Sequence, residues 1–126
     1  MFKSFFNKKR ENDVSNNLNI GLTKTNPILV SSIPSSYSYL NTLCTMAEGL
    51  SYERIGSVQT EEFSRLLDKY TFVFNNTKFC DIFIYPYHSE NNFIIPTPFK
   101  TLNPNLDNSI FNSYEQEENN NSDELT

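Results

Sequence analysis

The residue types able to carry chemistry gather in one stretch, "DKYTFVFNNTKFCDIFIYPYHSE", residues 68–90, which holds Cys80, Asp81 and His88, the single histidine of the chain. A cysteine nucleophile needs a thiolate with a base in hydrogen-bond reach, and Cys80 with His88 is the local pairing of that kind. Cys80 belongs to an apolar strand face with Ile82 and Ile84, and His88 follows Pro86, so strand and turn hold the two apart unless the chain folds back. A buried structural thiol is the expectation. Asp81, His88 and Glu90 would supply one imidazole and two carboxylates to a metal, but at a spacing that matches no ligand pattern with known mechanics. Glu53, Glu61 and Glu62 could act as acid and base, yet Glu61 and Glu62 are adjacent where a helix is expected to start and would stabilise its dipole. The three glycines, Gly21, Gly49 and Gly56, are too scattered for a phosphate loop, and no cofactor or metal is expected.

Asp81 is the oddest of these residues, because a carboxylate within "FCDIFIY" must be paired, exposed or used. Partnership with Tyr70 or Lys69 across a hairpin is the expectation, with a polar contact in a pocket or interface as the alternative. Tyr85, Tyr87, Phe93 and Phe99, interrupted by Pro86, Pro96 and Pro98, form a candidate binding surface, since tyrosine brings large contact area at small entropic cost. Packing within the domain is the competing reading for all four.

The elements that must position these residues read as an α+β domain, with a mostly antiparallel sheet of about five strands and two short helices. "NPILVSSIP", between Pro27 and Pro34, suits a short edge strand. In "SSYSYLNTLCTMAEGL" the spacing of Tyr37, Leu40, Cys44 and Ala47 predicts a helix over 36–48, capped by Ser35 or Ser36 and stopped by Gly49. "LSYERIGSV" predicts a strand kinked or bulged at Gly56. "TEEFSRLLDKY" predicts a second helix capped by Thr60, although a bent strand would carry the same apolar residues. "YTFVF" and "KFCDIFIY" flank Asn75 and Asn76, which tolerate positive φ and predict a two-residue hairpin turn. That turn would set Phe72 opposite Phe79 and Tyr70 opposite Asp81, with Phe83 on their side and Val73, Cys80, Ile82 and Ile84 on the other. The second hairpin strand is then apolar on both faces and belongs mid-sheet. "NNFIIPTPF" predicts a last strand ended by Pro96 and Pro98.

Residues 21–111 form the expected single domain, preceded by a basic, aromatic arm and linker over 1–20 and followed by an acidic tail over 112–126. These three parts hold four basic and two acidic, six and eight, and no basic and five acidic residues, within a net charge of −5. Such a balance disfavours nucleic-acid binding. Two cysteines without an apolar signal segment fit a reduced compartment, the cytoplasm by default. In the arm, Phe2, Phe5 and Phe6 beside Lys3, Lys8, Lys9 and Arg10 would suit a short anchor on anionic lipid, with weak, reversible association. The tail, "SYEQEENNNSDELT", is expected to be disordered; its glutamate-rich composition is similar to the translocation signals of some bacterial type IV secretion effectors, a likeness confined to the tail.

The functional expectation is a small non-enzymatic protein-binding module, an adaptor or immunity-type inhibitor, whose acidic surface and aromatic, proline-rich sheet end meet a basic partner. A peripheral membrane accessory protein or secreted effector is the second reading. A small hydrolase using Cys80 or Asp81 with His88 is the third.

Overall fold

A computed structural model describes residues 19–112. Residues 1–18 of the expected arm, with its candidate lipid contacts Phe2, Phe5, Phe6, Lys8 and Lys9, and residues 113–126 of the tail lie outside the described residues. The described chain is α+β: a four-stranded mixed sheet, one α-helix and two 3-10 turns. The strands are β1 (Ile28–Leu29), β2 (Leu50–Val58), β3 (Leu67–Phe74) and β4 (Thr77–Tyr85), in sheet order β1-β4-β3-β2. β1 runs parallel to β4 at one edge, and the other pairings are antiparallel.

The helix, α1 (Ile33–Cys44), starts three residues before the expected position and ends four before it. Ser32, in extended conformation, accepts from the Ser35 N–H at 3.1 Å, and Pro34 sits in the first turn, where its missing N–H leaves no bond unmade. Ser35 and Ser36 are therefore buried helix residues and not caps. The buried face carries Ser36, Tyr39, Leu40 and Leu43, whereas Tyr37 is 42% exposed. A helix begun at Ser32 presents positions rotated from the face that Tyr37 and Cys44 suggested.

No second helix forms among the described residues. Residues 59–66 are an irregular loop in which the Thr60 hydroxyl accepts from the Phe63 N–H at 3.2 Å, and the chain is already in β3 at Leu67. Thr60 makes its capping bond without a helix behind it. The run Leu67–Phe74 is paired along both sides, to β2 and to β4, and those ladders prevail over a short local helix. The expected fifth strand is absent too: Asn92 makes one bridge to Leu29, and after Pro96 the chain enters the first 3-10 turn, Thr97–Thr101. Pro96 and Pro98 have no N–H to offer a ladder. The second 3-10 turn, Asn108–Phe111, is capped by the Asp107 carboxylate accepting from Ser109 N–H.

At the β3–β4 hairpin, Asn75 (φ 51°) and Asn76 (φ 68°) both take the left-handed conformation, giving the expected two-residue primed turn. Phe74 faces Thr77 and Val73 faces Lys78, but Phe72 then faces Cys80 and Tyr70 faces Ile82. Phe79 is an extra residue, so the expected pairs Phe72 with Phe79 and Tyr70 with Asp81 are displaced by one. This bulge turns β4 over: Cys80, Ile82 and Ile84 join Tyr70 and Phe72 on the inner face, while Asp81, Phe83 and Tyr85 point to the other. Phe79 still packs inward, edge-on to Phe99 at 5.2 Å. As expected, β4 lies inside the sheet, β2 carries an irregularity between Arg54 and Gly56, and β1 is an edge.

The core fills the space between the inner sheet face and α1 with the C-terminal segment. Tyr39 stacks on Phe111 at 5.3 Å and Phe72 meets Phe99 edge-on at 4.9 Å, all four rings being buried. Ile20, in the expected linker, packs against this core, and Gly21 O accepts from Phe83 N–H at 2.8 Å, fixing the first described residues beside β4.

Candidate functional site

β4 separates the candidate nucleophile from its candidate base. Cys80 lies toward the hairpin end, and five residues of strand, about 17 Å at the usual rise, lead to Tyr85 before Pro86 turns the chain. His88 lies past that turn, donating its N–H to Val30 O at 2.9 Å. Burial first, and then the neighbouring Asp81 charge, push the Cys80 thiol up to about 12. It is a protonated core group at neutral pH, without the thiolate a nucleophile requires. Burial likewise raises the Cys44 thiol.

Asp81 projects from the outer face and has partners there. It accepts from the Thr71 hydroxyl at 2.6 Å and from Lys78 Nζ at 3.2 Å, with Lys69 Nζ at 3.8 Å. The pairing with Lys69 is as expected; Tyr70 is not a partner, because the β4 bulge places Thr71 opposite Asp81. Burial acts to raise its carboxyl, but the bonds from Thr71 and Lys78 and the two lysine charges outweigh it and hold the group below its ordinary value. Among the described residues, no group of three His, Cys, Asp or Glu side chains is placed to hold a metal, so Asp81, His88 and Glu90 do not converge.

The four candidate binding aromatics are divided between the two faces of the sheet. Phe93 and Phe99 are core residues, 8% and 0% exposed, packed on Tyr39 and on Phe72. They are removed from the contact surface because the segment after Asn92 folds over the inner face instead of extending the sheet. Tyr85 and Tyr87 lie edge-on to each other at 5.6 Å, with Tyr85 projecting from the outer face. The 59–66 loop supplies new neighbours: Phe63 packs on Tyr85 at 4.6 Å, and the Arg65 guanidinium lies 3.8 Å from the centre of the Tyr87 ring. Tyr87 and Leu66 remain 41% and 49% exposed.

Two adjoining grooves follow this loop. One, of about 350 Å³, is lined by Gln59, Phe63, Ser64, Arg65, Leu66 and Tyr87. The other, of about 560 Å³, is lined by Lys24, Thr25, Gln59, Thr60, Glu61 and Glu62. Gln59 belongs to both. Rings, a cation already stacked on one of them, and two carboxylates next door make a surface suited to holding apolar and basic side chains. Phe63, Arg65 and Leu66 were not candidates from the sequence, since a helix over that segment turns Phe63 and Leu66 inward. The available signal was that "EEFSRLL" can equally form a surface loop.

A further polar group lies across the sheet from this surface. Arg54 Nη2 donates to Asp68 Oδ1 at 2.8 Å and to Ser57 Oγ at 2.9 Å, tying the irregular part of β2 to β3. The hydrogen bond to Asp68 raises the Arg54 guanidinium. Among the described residues no helix is long and apolar enough to cross a membrane. No protein-family model, curated protein or solved structure matches the chain.

Proposed function

We propose that the protein is a non-enzymatic binding module whose partner is another protein presenting apolar and basic side chains. The observation that carries this reading is the cluster of Phe63, Arg65, Leu66, Tyr85 and Tyr87 on the outer side of the sheet, flanked by the exposed Glu61 and Glu62. Large rings and an arginine left partly exposed beside polar rims are the composition of interface centres. The imidazole of an enzymatic alternative is kept from the thiol and the carboxylate by the length of β4, which supports the binding reading further.

Affinity capture with the full chain tests it, comparing wild type with Tyr87→Ala, with Leu66→Ser, and with Ile33→Ser on α1 as an exposed control that lines neither groove. Proteins retained by wild type and Ile33→Ser but released by both patch variants support the proposal. A capture profile identical in all four refutes this surface as the contact.

A further inference from the structure

We infer that residues 2–10 of this same chain, "FKSFFNKKR", occupy the two grooves beside the 59–66 loop as an internal ligand. Three features lead there. The described chain begins only a few residues before one groove, since Lys24 and Thr25 line the one that carries Glu61 and Glu62. The order of residue types then agrees with the order of the grooves. Moving back from Asn19, Arg10, Lys9 and Lys8 come first, within about 40 Å of extended chain, and meet the groove with the two carboxylates. Phe6 and Phe5 follow, and come to the adjoining groove with Phe63, Leu66 and Tyr87.

Charge agrees with this direction. Two carboxylates against Lys24 leave the first groove negative, and the arm has four cations, with Glu11 and Asp13 further along. Arg65 is the other opposing cation, and its guanidinium lies 3.8 Å from the centre of the Tyr87 ring, so that its charge is directed at that ring. A tether of eight residues between Arg10 and Asn19 holds the arm at an effective concentration on the order of millimolar, so weak contacts suffice for occupancy. An outside partner using the same surface must displace the arm.

The test is photo-crosslinking in the full chain carrying Phe5→p-benzoyl-phenylalanine, with adducts mapped by mass spectrometry. The expected product is a monomer linked from position 5 to residues 59–66 or Tyr87. Its yield should fall at least about fivefold in a Glu61→Lys, Glu62→Lys background and in high salt, as exposed charge pairs require. Adducts confined to dimers would make a second copy the occupant and overturn the inference, as would adducts scattered over the surface, capture by anionic vesicles in place of the loop, or indifference to the charge reversal. The variants are checked for an unchanged circular dichroism spectrum. Partner capture is measured separately with Phe5→Ser, Phe6→Ser: stronger capture than wild type supports the internal ligand, and capture unchanged from wild type defeats it while leaving the contact surface standing.

Discussion

The two faces of β3 and β4 are made from the same strands and have opposite fates. On the inner face Tyr70, Phe72, Ile82 and Ile84 are at most 1% exposed, under α1 and the C-terminal segment. On the outer face Thr71, Asp81, Phe83 and Tyr85 are only half buried, and their neighbours are lysines, a loop and water. Period-two alternation thus gives one row of side chains to the core and leaves the next, one residue along, open to the surface. Substitutions on adjacent residues should therefore differ in kind as well as size.

Phe72→Ala should show the largest effect, a loss of about 3–5 kcal/mol in urea unfolding, because it empties a wholly buried site against Phe99. A loss near that of a surface change would mean the inner face is not the core. Gly49→Ala comes next, at about 1–2 kcal/mol: Gly49 holds φ +87°, and an added Cβ would run into the Asn75 side chain at the hairpin tip. Wild-type stability there would sever the link between the turn before β2 and the β3–β4 hairpin.

On the outer face, Asp81→Asn should cost only about 1 kcal/mol at pH 7, since its lysine partners are partly exposed. The sign of its pH dependence is set by the lowered carboxyl. The ion-pair contribution is fully present above the unfolded carboxylate pKa of about 3.9 and is lost as pH falls through the lower folded value. Wild type and Asp81→Asn should therefore converge in stability under acid and diverge above about pH 4. Parallel acid-unfolding curves would show that the lysine pairs do not act. Tyr87→Ala is the smallest expected change in stability, within about 1 kcal/mol in thermal unfolding, because it removes one exposed ring and one cation contact. Its loss of partner capture sharpens the contrast, whereas a large stability loss would make Tyr87 a structural residue.

What the sequence determined by itself lies at positions where a residue's own backbone preference decides. Asn75 and Asn76 accept positive φ, so the primed turn was legible, as were the irregular strand at Gly56 and the α+β class. The cross-hairpin salt bridge of Asp81 with Lys69 was legible too, because a carboxylate within an apolar strand requires a partner nearby.

Only the tertiary structure decided the rest. The bulge at Phe79 reverses the faces of β4 so that Ile82 and Ile84 enter the core and Cys80 packs against it, a choice made by packing among distant segments. The segment 60–70 could have been a helix on local preference, but β3 takes Leu67–Tyr70 into the sheet and leaves only 59–66 as a loop before it. That outcome brings Phe63 and Arg65 onto Tyr85 and Tyr87, and sends Phe93 and Phe99 inward. A surface built from two distant segments depends on hydrogen bonds and burial summed over the whole sheet, and no short window of residues contains those sums.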